Sequence, residues 1–290
     1  MRQGATAGRA ASHGRPSGPS LPMDKNSTPA APSPIARVIS SVKLLLLLLF
    51  PVFATAAPFI AIRDGESFTY KVGFSLFSHA GDIVIAGQND ATAGHDYIRI
   101  TATTTTRGFV RGFYEFDDKA EALIDRPTGR LMSVRETGSD PKRAIDNEFL
   151  IDYETRRATF TDHVRASRNM ELALPEGGDP LDLISALVQT RDWNLKPEEK
   201  RDVVVQVGRD FYAIAIYAEA YEEVRTPMGK FRTLVLVPRM EKDPKGLFKR
   251  GGEIKVWIAQ DGSKLPVKMQ LKLRFGSATL SLSGYQAPAK

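Results

Sequence analysis

Apolar and polar residues alternate with a period of two through most of residues 66–164, which is the pattern of half-buried β-strands. The clearest case is the segment 68–76, where every second position from Phe68 to Leu76 is apolar. Further strands are predicted in this part of the chain at 81–87, 97–106, 112–118, 130–136, 145–153 and 157–163. Short turns separate these segments, so we expect successive strands to pair in antiparallel fashion.

One helix interrupts the strand pattern. Asp179 is a candidate N-cap, Pro180 suits the first helical position, and the helix is predicted to end at Thr190. Its apolar positions fall on one helical face, at Leu181, Ile184, Leu187 and Val188. We expect this amphipathic helix to pack on one side of the sheet.

Strand patterns resume after the helix, at 203–208, 211–222, 229–238, 253–259, 265–273 and 277–285. The dipeptide Asp261-Gly262 lies between two of these strands and is typical of a hairpin turn. Strands spaced this regularly predict a mainly β fold, a curved antiparallel sheet that closes into a barrel or half-barrel, with the amphipathic helix packed on it. No internal repeat or Gly/Ser linker divides residues 57–290, which predicts a single β-rich domain.

Residues 1–56 have a different pattern and are predicted to form a disordered leader followed by a signal peptide. The apolar run 44–53 follows basic residues and ends in small residues that suit signal peptidase, so we expect cleavage after Ala56. As a helix this run is only about 15 Å long, against a hydrocarbon core of ~30 Å. We therefore expect export to the periplasm and no stable transmembrane helix after cleavage. The alternative is an uncleaved anchor over residues 38–57.

The charge of the chain is divided unevenly between the leader and the rest. The formal net charge is +6, from 40 basic and 34 acidic residues. Residues 1–56 contain six of the basic residues and one of the acidic residues, which leaves 34 and 33 for residues 57–290. Because the excess positive charge belongs to the leader, we exclude nucleic acid as a partner. Within the leader, Met23 competes with Met1 as the start of translation.

Sequence motifs for catalysis or metal binding are absent from residues 57–290. His79, His95 and His163 are isolated, and the chain has no cysteine, so neither a metal site nor a disulfide is predicted. The sequence contains no G-x-S-x-G nucleophile motif and no G-K-[ST] phosphate loop. Adjacent carboxylates on a strand point to opposite faces and do not form an acid–base pair. We predict no catalytic residue, no metal and no cofactor.

Aromatic residues within the strand patterns indicate a candidate binding site. Tyr70, Phe74 and Trp257 lie in predicted strands, and Trp193 follows the helix, where it is placed to close one end of a barrel. A barrel with an aromatic interior can hold a lipid or another apolar ligand. We take these four residues as the candidate ligand-binding set, the alternative being that they pack in a filled core.

The C-terminal third contains a strand with Trp257, a turn at Gly262 and a further strand that opens at Pro266. In these features the segment 237–276 resembles a bacterial exported family known as domain of unknown function 3108, and the likeness extends over most of residues 60–286. The resemblance implies a periplasmic, all-β domain of unassigned activity. It brings no catalytic residues to this chain.

These observations favour an exported periplasmic domain that is not an enzyme and that binds an apolar or envelope-derived ligand, or an envelope protein partner. A ligand held inside the sheet requires an apolar cavity. The first alternative is an envelope hydrolase with a site assembled from separate strands, which needs a nucleophile and a base about 3 Å apart. The second is a structural envelope protein, for which we expect a large apolar surface patch.

Overall fold

The computed structural model describes residues 61–274 and 276–289 of the chain. The predicted leader, signal peptide and cleavage site lie outside the described residues. Within the described ranges, no helix is long and apolar enough to span a bilayer.

Fifteen strands make up most of the described chain. They are β1 (Ser67–Phe74), β2 (Phe77–Asp90), β3 (Tyr97–Thr106), β4 (Asp117–Asp125), β5 (Arg130–Asp140), β6 (Arg143–Asp152), β7 (Arg157–Asp162), β8 (Met170–Ala173), β9 (Pro180–Asp182), β10 (Lys200–Val207), β11 (Asp210–Thr226), β12 (Gly229–Arg239), β13 (Glu253–Ala259), β14 (Pro266–Leu273) and β15 (Gly276–Gln286). Three short α-helices are present in the described chain, α1 (Gly108–Phe113), α2 (Leu183–Gln189) and α3 (Gly246–Lys249), with single 3₁₀ turns at Thr92–Gly94 and Ala166–Arg168.

All fifteen strands belong to one sheet in the order β8-β7-β6-β5-β4-β3-β2-β1-β15-β14-β13-β12-β11-β10-β9. Neighbouring strands are antiparallel except β9 and β10, which are parallel. The sheet curls so that β9 approaches β5 without pairing to it, and Arg130 Nε contacts Asp179 Oδ2 there at 2.8 Å. This open, barrel-like sheet with a helix packed against it confirms the predicted fold class.

The sheet has hydrophobic clusters on both faces of strands β12 and β13. Val235 and Trp257 belong to a first cluster that also extends through β1–β7, whereas their neighbours Leu234 and Val256 belong to a second cluster. Because successive strand residues point to opposite faces, both faces of these strands are buried. This explains why the two strands read as continuous apolar runs rather than as alternating ones.

The predicted helix begins later than its sequence suggested. Asp182, not Asp179, is the N-cap, and its side chain accepts hydrogen bonds from the backbone N of Ile184 at 2.7 Å and of Ser185 at 3.2 Å. Pro180 instead opens β9, which pairs with β10. Residues 180–182, which the capping pattern assigned to the first helical turn, therefore form a strand because they pair with β10.

The strand predicted at 112–118 is wrong over residues 112–116. Residues 108–113 form α1, and β4 starts at Asp117. The backbone N of Arg107 donates to Ala80 O at 2.8 Å, and Thr106 N donates to Phe116 O at 2.9 Å. The hydrogen bonding between these neighbouring strands ends at Thr106 and Phe116, so the residues between them lie outside the sheet. Strands β8 and β9 were not predicted from the sequence.

A buried ion pair joins four distant segments at the end of the sheet where β1 begins. Arg191, just after α2, donates through Nη1 and Nη2 to the two carboxylate oxygens of Glu66 at 3.0 and 2.9 Å. Tyr285 Oη donates to Glu66 Oε1 at 2.8 Å, and Arg191 Nη2 donates to the carbonyl of Ser263 at 3.3 Å. The guanidinium also lies 5.2 Å from the ring centre of Phe68. We call Glu66, Arg191, Ser263 and Tyr285 the closing network.

Candidate functional site

The four candidate ligand-binding residues lie in different surroundings. Tyr70 and Trp257 are buried in the first hydrophobic cluster, Trp193 is buried in the second, and Phe74 is partly buried at the end of β1. Tyr70 Oη donates to the carbonyl of Pro266 at 2.8 Å, and burial raises the pKa of Tyr70 above its ordinary value. Trp257 Nε1 donates to Glu222 Oε2 at 2.8 Å. The structure thus brings only Tyr70 and Trp257 into one cluster.

Two surface depressions are formed by other residues. The first, of about 320 Å³, lies on β1 and β15 and is lined by Lys71, Gly73, Ser75, Phe77, Ser78, Pro227, Ser277, Thr279 and Ser281. The second, of about 600 Å³, is lined by Gly246, Leu247, Arg250, Gly252, Leu273 and Arg274. Neither depression is lined by any of the four candidate residues, so a ligand-binding role for those residues stays a prediction.

A group of exposed apolar side chains lies at the end of the sheet opposite the closing network. We call this group the aromatic end, and its members are Leu76, Phe77, Phe109, Phe113 and Tyr114. Leu76 is 97%, Phe113 72% and Phe109 65% exposed. The ring centres of Phe77 and Phe109 are 5.6 Å apart, and those of Phe109 and Phe113 are 4.5 Å apart. Aromatic rings in mutual contact but open to solvent form a ready apolar contact surface.

Ion pairs hold α1 in place, because none of its residues is buried. Arg107 Nε donates to Asp82 Oδ2 at 2.9 Å. Arg111 binds Asp117 through two parallel hydrogen bonds of 2.9 and 2.8 Å, and it also reaches Glu115 at 2.6 Å. Paired guanidinium–carboxylate bonds are directional. They fix a helix too short to be stable by itself.

The second depression, with its two arginines, lies at the same end of the sheet as the aromatic end. The β1–β2 turn, the β14–β15 turn and the β12–β13 connection share this end because the strands between them are antiparallel. The backbone N of Ser75 donates to Ser277 O at 3.0 Å, which ties the first two turns together. We call the depression around Arg250 and Arg274 the basic depression.

A carboxyl group with a displaced pKa lies partly buried on the inner strands. Asp118 of β4 and Glu136 of β5 share one face, since Glu136 pairs with Ala120, two residues away. Within the described chain Asp118 Oδ1 is buried and has no hydrogen-bond partner. Burial, followed by the charge of Glu136, raises the pKa of Asp118 to about 6. Asn147 Nδ2 donates to Glu136 Oε2 at 3.1 Å and leaves Asp118 uncompensated.

Replacing Asp118 with asparagine should change how stability depends on pH. The pKa of Asp118 is higher in the folded state than in the unfolded state, so protonation of Asp118 favours the folded state. This contribution to the free energy of unfolding is present below pH 3.8 and is lost as pH rises through about 6. Because half of the group is still hydrated, we expect Asp118→Asn to raise the free energy of unfolding above pH 6 by only about 1 kcal/mol. Urea unfolding across this pH range measures the difference. Parallel pH profiles for the variant and the natural protein would contradict the prediction.

Comparison with known proteins places the chain in a family. The model of a family described as protein of unknown function, DUF3108, matches residues 69–283. The chain belongs to the DUF3108 family. No functionally curated protein matches it. The matched range spans β1 to β15, so family membership covers both hydrophobic clusters and the aromatic end.

One of two similar solved structures supports the fold of this DUF3108 chain. A crystal structure of a "beta-barrel-like protein of domain of unknown function DUF1849" from Brucella abortus has a TM-score of 0.50 and 9% sequence identity, covering 78% of this chain and 98% of the other. A crystal structure of a "putative lipoprotein" from Parabacteroides distasonis has a TM-score of 0.31 and 9% identity, covering 80% of this chain and 99% of the other. At such low identity, the first likeness shows a shared barrel-like fold and nothing about activity.

Sequence reasoning missed the aromatic end of this DUF3108 chain. Phe113 was assigned to a strand, and Phe109 and Tyr114 were not considered as site residues. One feature of the sequence does point to them. In Gly108-Phe-Val-Arg-Gly-Phe-Tyr114 three aromatic residues follow a strand closely without period-two alternation. A segment of this kind does not extend the sheet, and its rings lack core positions.

Proposed function

We propose that the protein is an exported, non-enzymatic envelope domain that attaches peripherally to a lipid bilayer through its aromatic end. The observation that carries the proposal is the row of contacting rings of Phe77, Phe109 and Phe113, which is open to solvent. Phe77 begins β2, and the other two rings belong to α1, which buries none of its residues. The leader and signal peptide predicted for residues 1–56 support export to the periplasm, where membrane surfaces are accessible.

The chemistry of the aromatic end matches that of a bilayer interface. Phenylalanine and leucine side chains occupy the apolar face of helices that lie in a bilayer interface, where they leave water without entering the centre of the bilayer. Moving an exposed phenylalanine out of water contributes about 1.5–3 kcal/mol. Phe109 and Phe113, each more than half exposed, therefore supply enough energy for reversible attachment.

An interior ligand has less support from the geometry than a surface partner. Tyr70, Trp193 and Trp257 are already buried against protein atoms in the two clusters. The exposed apolar area lies outside the sheet instead, at Leu76 and on α1. A lipid therefore fits this protein better as a surface that the aromatic end contacts than as a molecule enclosed among the strands.

A fluorophore at Leu76 tests this proposal directly. The chain has no cysteine, so Leu76→Cys creates a unique labelling site in the turn next to Phe77. We expect a blue shift of an environment-sensitive label when the exported protein meets phosphatidylcholine vesicles. The double variant Phe109→Ser/Phe113→Ser should weaken this binding at least about tenfold, because it removes two rings that we expect the bilayer to bury.

Two controls separate insertion from unspecific effects. A label at Leu150→Cys, which is 47% exposed on β6, should show no shift on the same vesicles. Urea unfolding of Phe109→Ser/Phe113→Ser should match the natural protein, since both rings are exposed. A natural protein whose Leu76 label does not respond to vesicles, or a serine variant that binds as tightly, would overturn the proposal.

A further inference from the structure

Two arginines from different parts of the chain meet in the basic depression. Arg250 follows α3, and Arg274 directly follows β14, in the turn into β15. Both line the same depression of about 600 Å³, and both are exposed. Neither guanidinium forms an ion pair with a carboxylate of the described residues. Two positive groups therefore face one space without a counter-charge from the protein.

Other arginines near the aromatic end differ in this respect. Arg107 is paired with Asp82, and Arg111 is paired with Asp117 and Glu115. Those pairs neutralise the charge beside α1 and leave its surface apolar. Arg250 in the β12–β13 connection and Arg274 in the β14–β15 turn have no such pair within the described chain, in a domain whose formal charge is close to zero.

The loop that carries Arg250 is tightly folded on itself. A Cβ atom on Gly252 would lie 2.9 Å from the backbone oxygen of Leu247, so glycine suits this close approach. The backbone N of Gly252 donates to Leu247 O at 3.0 Å. Leu247 and Leu273 complete the lining with apolar surface. The depression thus combines two guanidinium groups with apolar walls.

We propose that the basic depression binds the phosphate groups of anionic phospholipids, an inference that rests on the proposed attachment of the aromatic end to a bilayer. Guanidinium groups form paired hydrogen bonds with phosphate oxygens, and we expect the two arginines to bind the same phosphate group. Leu247 and Leu273 suit the glycerol and first acyl carbons beside that phosphate. Because the basic depression and the aromatic end lie at the same end of the sheet, the depression reaches the lipid headgroups when the aromatic rings insert.

The inference predicts a preference for anionic vesicles. Each cation near an anionic leaflet strengthens binding by several-fold, so two arginines should give about a thirtyfold preference for vesicles that contain phosphatidylglycerol over phosphatidylcholine alone. In Arg250→Gln/Arg274→Gln this preference should disappear, while binding to phosphatidylcholine vesicles stays as in the natural protein. Titration of the Leu76-labelled exported protein with both kinds of vesicle measures the two affinities.

A matched control removes the same charge elsewhere. Arg156→Gln/Arg157→Gln, in the β6–β7 turn at the end of the strands where the closing network lies, should keep the preference for anionic vesicles. A preference that survives in Arg250→Gln/Arg274→Gln, or that falls equally in the control, would overturn the inference. Such a result leaves the proposed function intact, since that depends on Phe109→Ser/Phe113→Ser and phosphatidylcholine vesicles.

Inorganic phosphate separates a lipid site from a free-anion site. Without vesicles, phosphate should raise the thermal unfolding temperature of the natural protein no more than it raises that of Arg250→Gln/Arg274→Gln, because phosphate stabilises folded proteins generally through its exclusion from their surface. A phosphate-specific rise that Arg250→Gln/Arg274→Gln abolishes, together with equal affinity for both kinds of vesicle, would show a free-phosphate site and overturn the lipid assignment.

Discussion

Replacing Arg191 with methionine should lower the free energy of unfolding by about 3–5 kcal/mol, because the variant leaves the Glu66 carboxylate buried without its charge partner. The side chain of Glu66 is 1% exposed and that of Arg191 13%, so water cannot replace the lost guanidinium. Methionine retains much of the volume of arginine, which limits the cavity that the change creates. Urea unfolding of the natural protein and of Arg191→Met measures the difference.

An exposed ion pair provides the control for Arg191→Met. Arg157 and Glu171 are 2.7 Å apart, with 54% and 63% of their side chains exposed. Arg157→Met should cost less than about 1 kcal/mol, since solvated pairs contribute little. Glu66→Gln combined with Arg191→Met should recover part of the loss, because the buried charge is removed. A loss in Arg191→Met as small as in Arg157→Met would show that the closing network does not hold the fold together.

The strands of this protein were predictable because the alternation of side chains is a direct consequence of burial on one face. In β1, Phe68 and Tyr70 are buried while Thr69 and Lys71 are not. The same rule works poorly for β12 and β13, whose two faces are both covered, but β-branched residues and flanking turns still mark them. The antiparallel pairing of successive strands followed from short turns, since hairpin connections place consecutive strands side by side, but the pairing of β1 with β15 did not.

The start of α2 shows where local rules fail. Asp179 and Asp182 both satisfy the sequence requirements of an N-cap, and only pairing of Pro180 with β10 decides between them. That pairing depends on a strand 24 residues away, as Val204 lies opposite Pro180. Capping preferences contribute about 1 kcal/mol, so tertiary contacts outweigh them. A local pattern cannot contain this information.

The candidate site was harder to predict than the fold for a related reason. Tyr70 and Trp257 were chosen as site residues because they are aromatic residues in predicted strands. The alternation that predicts a strand arises from burial of one face, however, so these rings lie in the core. Phe109 and Phe113 break the pattern, and that deviation is what marks a surface residue with another role. That Arg250 and Arg274 line one depression could not be predicted without the sheet topology. They lie 24 positions apart in the chain, with two strands between them.

Gly138→Ala should destabilise the fold by about 3 kcal/mol, because β4 and β5 lie too close together at this point for any side chain. A Cβ atom on Gly138 would lie 2.3 Å from the carbonyl oxygen of Asp117 and 2.8 Å from the Cα of Asp118. Both are backbone atoms of the paired strand, so no side-chain rotation relieves the contact. The two strands must separate locally, and urea unfolding measures the cost.

Gly112→Ala is the matched control, since it makes the same substitution where there is room. Within the described chain no atom comes within 4 Å of a Cβ placed on Gly112, which lies inside α1. Alanine is the better helix former, so this variant should be unchanged or more stable by up to about 1 kcal/mol. Equal effects of the two substitutions would mean that strand contact at Gly138 is not the cause. Opposite signs would show that the close approach of β4 and β5 excludes a side chain at this position.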